Sequence, residues 1–118
     1  MDEGRPIFLQ IAERIENDII SGALPEDTQA PSTNELAAFL RVNPATAGKG
    51  INRLVDEGTL IKRRGIGMFV AEGARARLVA IRREQFTAQY VAPLLAEAAK
   101  LGISGAQLAD MIREGEKA

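Results

Sequence analysis

There is no cysteine and no histidine among the 118 residues. Without cysteine there are no disulfides and no thiolate chemistry, which fits a reducing compartment. Without either residue, a zinc site and the usual acid–base shuttle lose their best side chains. Asp, Glu, Lys and a single Tyr remain, but no carboxylate pair sits in a pocket-like context and no nucleophile has a base partner. No metal, no cofactor, no catalytic residue and no enzymatic activity are expected. Aromatics are only 4% of the chain, so the core is aliphatic and broad stacking platforms for single strands are not expected. No apolar run approaches the roughly 20 residues of a membrane span. Met1-Asp2-Glu3 is acidic and precedes no apolar h-region, so no signal peptide is expected. The default expectation is a cytoplasmic protein with no membrane partner.

What is present is 46% apolar residues, enough for one packed domain or one small domain with an extension. The net charge of −1 hides a segregation. Residues 1–40 carry 2 basic and 8 acidic side chains, residues 41–83 carry 10 and 3, and residues 84–118 carry 3 and 5. A basic segment on an otherwise acidic chain is the local footprint of nucleic-acid binding.

Ile7, Ile11, Ile15 and Ile19 recur every four residues, predicting an amphipathic helix over about 7–21. Pro6 stands at its start and Ser21-Gly22 at its end. Residues 22–31 read as a loop with two prolines. Ser32-x-x-Glu35 is a capping box opening a second helix, whose buried face is expected from Leu36, Phe39 and Leu40. Arg41-Val42 makes the turn. Asn43 and Pro44 cap and begin a third helix, with Ile51, Leu54 and Val55 inward and Gly58 as the stop. Thr59–Lys62 and Met68–Val70 read as short strands around the basic turn Arg63-Arg64-Gly65-Ile66-Gly67. A dinucleotide loop would need a helix after this turn and a third glycine, and neither follows.

The order is that of a winged helix-turn-helix, which places its second helix N-terminus first in a major groove. Fold class is therefore mainly α with a small β-hairpin. Residues 1–72 are expected to form the DNA-binding domain and 73–118 a C-terminal helical tail. Asn43, Thr46, Lys49 and Arg53 are the candidate groove-facing residues. The small residues Ala45, Ala47, Gly48 and Gly50 between them would allow close approach to DNA. Ser32 and Thr33, joined by Asn34, open the second helix where a phosphate could sit. Arg63, Arg64 and Gly65 at the hairpin tip could reach phosphates or a minor groove.

These residues resemble the GntR family of bacterial transcription regulators, and its short YtrA-type branch most. The resemblance covers about residues 6–70. It rests on Pro6-Ile7-Phe8-x-Gln10-Ile11, Gly22-x-Leu24, Pro31-Ser32, Glu35-Leu36-Ala37, Asn43-Pro44-x-Thr46, Leu54-x-x-Glu57-Gly58 and Gly65-x-Gly67-x-Phe69-Val70. It implies a winged helix that binds double-stranded operator DNA as a dimer. Asn34 and Gly48 stand where the family usually has Arg, and Lys49 beside Gly48 is similar to the YtrA-type branch.

From about Ala74 the pattern is helical again, through Leu78, Ile81, Phe86, Tyr90, Leu94, Ala98 and Leu101 to Gly102. Pro93 inside this run should kink the helix or split it. Ser104-x-x-Gln107 opens a last helix with Leu108, Met111 and Ile112. Two such helices are too few to enclose a ligand pocket. Pairing with a second copy would bury their apolar faces, so Phe86, Tyr90, Leu94, Leu101, Leu108, Met111 and Ile112 are the candidate dimerisation residues. Arg75, Arg77, Arg82 and Arg83 read as a DNA-side collar or as ordinary surface charge. The expected function is repression at an inverted-repeat operator, by a homodimer that presents two third helices to successive major grooves. A small-molecule effector of unknown identity would act at the dimer interface near Pro93. The alternative is a winged helix that contacts an acidic protein partner.

Overall fold

The computed structural model describes residues 4–118, so the expectation drawn from Met1-Asp2-Glu3 lies outside it. The chain divides into two compact units, one extending to Val79 and one spanning Ala80–Ala118.

The first unit is built around helix α1, Ile7–Ser21, whose Ile11, Ala12, Ile15 and Ile19 are buried. The four-residue spacing puts these side chains on one stripe. Gly22 ends the helix in the left-handed conformation with φ 87°. Helix α2, Thr33–Leu40, carries the expected capping box. Ser32 Oγ accepts from the Glu35 N–H at 3.1 Å, and Glu35 Oε1 accepts from the Ser32 N–H at 3.3 Å. Arg41 closes the helix at φ 56°, and the Val42 N–H donates to the Ala37 carbonyl at 3.0 Å. Helix α3, Pro44–Asp56, follows directly, with Asn43 Oδ1 accepting from the Ala45 N–H at 2.8 Å. Strands β1, Leu60–Arg63, and β2, Gly67–Val70, pair antiparallel with Leu60 opposite Val70 and Arg63 opposite Gly67. Ile11, Ile19, Ile51, Leu54, Leu60 and Val70 fill the centre, joined by Ala74 and Leu78 from the start of helix α4, Ala74–Phe86.

Three expectations need correction here. Phe39 is 72% exposed, with the Arg14 guanidinium 5.4 Å from its ring centroid. Leu36, Ala37 and Leu40 define the inner stripe of this two-turn helix, and at 3.6 residues per turn Phe39 points roughly 100° away from it. Ala47 and Gly50 are buried and belong to the core, not to a DNA-facing surface. A Cβ on Gly50 would lie 2.9 Å from the Phe8 carbonyl oxygen, so the close approach this glycine permits is that of α1. Finally, residues 27–30 are more than a loop. The Ala30 N–H donates to Met68 O at 2.8 Å and the Val70 N–H to Thr28 O at 3.0 Å, so the segment lies along β2 as a third edge.

In the second unit, helical geometry continues from α4 through a π turn at Thr87–Val91 into helix α5, Ala92–Lys100. Pro93 therefore does not split the helix. The wider π turn occupies the residues where an α-helix would set the Gln89 carbonyl against the proline ring. Gly102 turns the chain at φ 70°. Ser104 caps helix α6, Gly105–Glu116, with a second capping box. Ala98 of α5 and Leu108 of α6 are the buried apolar residues of this unit. No helix among the described residues is long and apolar enough to cross a membrane.

Candidate nucleic-acid interface

Helix α3 is held at both ends. Asn43 caps its N-terminus and Pro44 supplies its first φ. At its C-terminus the Arg77 guanidinium donates from Nη1 to the Glu57 carbonyl at 2.6 Å and from Nη2 to Thr59 Oγ1 at 2.7 Å. Arg75 makes a similar tie, Nε to the Ile20 carbonyl at 2.9 Å beside the end of α1. Cations at helix C-termini are favoured by the dipole. Arg75 and Arg77 are therefore more than idle surface charge. They fasten the beginning of α4 to the ends of α1 and α3.

With Ala47, Gly50, Ile51 and Leu54 inward, the opposite stripe of α3 is Ala45, Gly48, Lys49, Asn52 and Asp56. This stripe borders an open groove of about 630 Å³ whose lining includes Phe8, Lys49, Asn52 and Arg53. Lys49 and Arg53 are exposed and Thr46 is half-buried. The Lys49 ammonium stands 4.1 Å from the Phe8 ring centroid, a cation–π contact that restrains a long flexible cation. Arg53 Nε meets Glu57 Oε1 at 3.0 Å, and with Asp56 also lining the groove its C-terminal end is net negative. The positive character lies at the N-terminal half, where Lys49 adds to the helix dipole.

Thr33, at the start of α2, lies against α3. Ser32 Oγ is engaged as a cap, while the space above Gly48 is bounded by Thr33 Cγ2, 3.5 Å from where a Cβ would stand. Asn34 is exposed on the first turn of α2. On the hairpin, the Arg63 guanidinium lies 4.2 Å from the Phe69 ring centroid. Arg64 and Gly65 form the exposed turn, with Gly65 at φ 78°. Gln29 Nε2 donates to the Ile66 carbonyl at 2.9 Å and braces the tip.

Phe86, Tyr90, Leu94, Leu101, Met111 and Ile112 are exposed on the second unit. Leu108 differs: it is 8% exposed, already covered within its own unit. Asn52 lines the groove as well and is not among the residues singled out from the sequence. Asn52 was findable, since Ala45, Lys49 and Asn52 follow the i, i+4, i+7 rule for one helix face. Among the described residues no group of acidic side chains is placed to hold a metal ion.

The sequence pattern described as bacterial regulatory proteins, gntR family, matches residues 8–70. Over 109 residues the chain is 28% identical to the HTH-type transcriptional repressor YtrA of Bacillus subtilis, covering 92% of this chain and 83% of YtrA. It is 33% identical over 67 residues to the histidine utilization repressor of Pseudomonas aeruginosa, covering 57% of this chain. It spans only 27% of the length of that repressor. Among solved structures, a transcriptional regulator from Oenococcus oeni superposes with a TM-score of 0.77 at 25% identity, over 97% of this chain and 93% of the other. The DNA-binding domain of AraR, solved in complex with operator ORX1, superposes with a TM-score of 0.55 at 35% identity, over 60% of this chain and 87% of that one.

Proposed function

The chain belongs to the gntR family of bacterial regulatory proteins, and we propose that it is a cytoplasmic transcriptional repressor that binds an inverted-repeat operator as a homodimer. The observation that carries this reading is the outward stripe of α3. It combines small residues, a restrained cation at Lys49 and an amide at Asn52, on a helix fixed at both ends. Small residues let the helix backbone near base edges, while Lys reads guanine O6 and N7 and Asn reads adenine N6 and N7. The similarity to a DNA-binding domain solved on its operator, and to two repressors, supports the same reading.

In this reading Thr46, Lys49 and Asn52 contact bases, with Asn43 at the helix entry. Ser32, Thr33 and Asn34 present hydroxyls, an amide and the α2 N-terminus to a phosphate. Arg63, Arg64 and Gly65 bring the hairpin to the flanking backbone. Arg53, paired with Glu57, orients the helix more than it reads sequence. The exposed apolar residues of the second unit pair two copies about a C2 axis. An effector that altered this pairing would change the spacing of the two reading heads.

A binding selection from random duplex DNA at two salt concentrations tests the proposal. The expected result is an enriched inverted repeat whose affinity falls steeply with salt. No enrichment, with no salt-sensitive binding, would favour the protein-interaction role instead.

A further inference from the structure

The tip of the hairpin carries an isoleucine with its side chain in solvent. Ile66 is 63% exposed and sits between Gly65 and Gly67, at φ 78° and 138°. Its own backbone is fully engaged within the protein. The Ile66 N–H donates to the Arg63 carbonyl at 3.0 Å, closing the turn, and its carbonyl accepts from Gln29 Nε2 at 2.9 Å. Gln29 fills the space beneath the tip, since a Cβ on Gly67 would stand only 2.6 Å from its Nε2. Ile66 therefore has only its β-branched, stiff side chain to offer a partner. Single exposed apolar residues are common on protein surfaces. This one differs by its place, as the last residue of a braced three-residue turn that begins with Arg64 and follows Arg63.

We propose that Ile66 is a specificity-determining residue that enters the minor groove at A·T pairs and rejects guanine. The inference rests on the reading of this chain as a DNA-binding regulator with a wing. A tip flanked by two residues without side chains is slim enough for a groove about 6 Å wide. Arginine nearby favours the narrow, strongly negative groove of A·T-rich DNA. On the floor of that groove an A·T pair shows the apolar adenine C2–H between acceptors, whereas a G·C pair adds the guanine amino donor. Isoleucine has no acceptor. Covering that amino group would strip it of water and leave it unpaired, which costs binding. The wing thus selects by exclusion, whereas α3 selects by hydrogen bonding.

The test uses the full chain and Ile66→Ser, which retains both backbone hydrogen bonds at the tip. Unfolding curves for the two proteins establish that both are folded. The duplex enriched by the wild-type chain is then scanned pair by pair with A·T, G·C, inosine·C and 2,6-diaminopurine·T. Inosine lacks the guanine amino group, and diaminopurine adds it to adenine. At a position flanking each half-site, the wild-type chain should bind A·T and inosine·C alike. It should bind G·C and diaminopurine·T about tenfold more weakly, the size of one mismatch. Ile66→Ser should reduce that difference to less than about twofold while leaving the half-site preferences of α3 unchanged. The inference is overturned if no position behaves this way, if inosine·C is rejected like G·C, or if Ile66→Ser keeps the full discrimination. A wild-type chain that enriches no duplex would instead remove the regulator reading, and this inference with it.

Discussion

At the scale of single residues, the two glycines of α3 have opposite reasons to be there. Gly50 meets the α1 backbone, with the Phe8 oxygen 2.9 Å from a would-be Cβ, so Gly50→Ala should destabilise the fold by about 1–3 kcal/mol. Gly48 has ordinary space above it, and Gly48→Ala should stabilise by about 0.5–1 kcal/mol through helix propensity. Denaturant titrations of both variants check the pair, and equal shifts would contradict the assignment. Arg77→Met removes two hydrogen bonds from a charged donor at the end of α3 and should cost about 1–3 kcal/mol in the same assay. For DNA, Arg64→Ala should weaken many sequences alike and lower the salt slope by about 1 per subunit. Substitutions at Thr46, Lys49 or Asn52 should reorder the sequence ranking instead. A uniform loss at these three would make them positioning contacts only.

At the scale of elements, the caps separate stability from binding. Ser32→Ala should cost about 1 kcal/mol, because the capping box loses its acceptor. Ser32→Asp keeps the cap but sets a negative charge where a phosphate is expected. It should retain stability yet weaken DNA binding, and undiminished affinity would argue against a phosphate at the α2 N-terminus. The capping boxes at Ser32 and Ser104, the Asn43-Pro44 start and the Gly58 stop were legible because each is a contact within a few residues. What was not legible depends on distant chain. Phe39 satisfies a helical spacing but lies off the stripe that α1 and α3 cover. Residues 27–30 lack a strand pattern, yet β2 offers them a free edge. Arg75 and Arg77 look like surface charge until the ends of α1 and α3 arrive beside them. Pro93 signalled a break, and the helix absorbs it one turn earlier as a π turn.

For the whole molecule, the exposed apolar residues of the second unit exceed what a lone chain covers. Charged substitutions at Tyr90 and Leu94 together should convert a dimer to a monomer in sedimentation while leaving the unit before Val79 folded. Leu108→Ala should instead lower the stability of the second unit, since this side chain is already buried in one copy. The acidic and basic segments cancel to −1 over the chain, so DNA attraction must be local. Affinity should therefore depend on which face meets the duplex rather than on net charge. The central claim is that two α3 helices read successive major grooves from a fixed dimer. Its most direct measurement is the affinity for the selected inverted repeat before and after inserting about five base pairs, half a helical turn, between the half-sites. Binding should fall to that of a single half-site and recover in part with a full-turn insertion. Equal affinity for all three duplexes would contradict the claim.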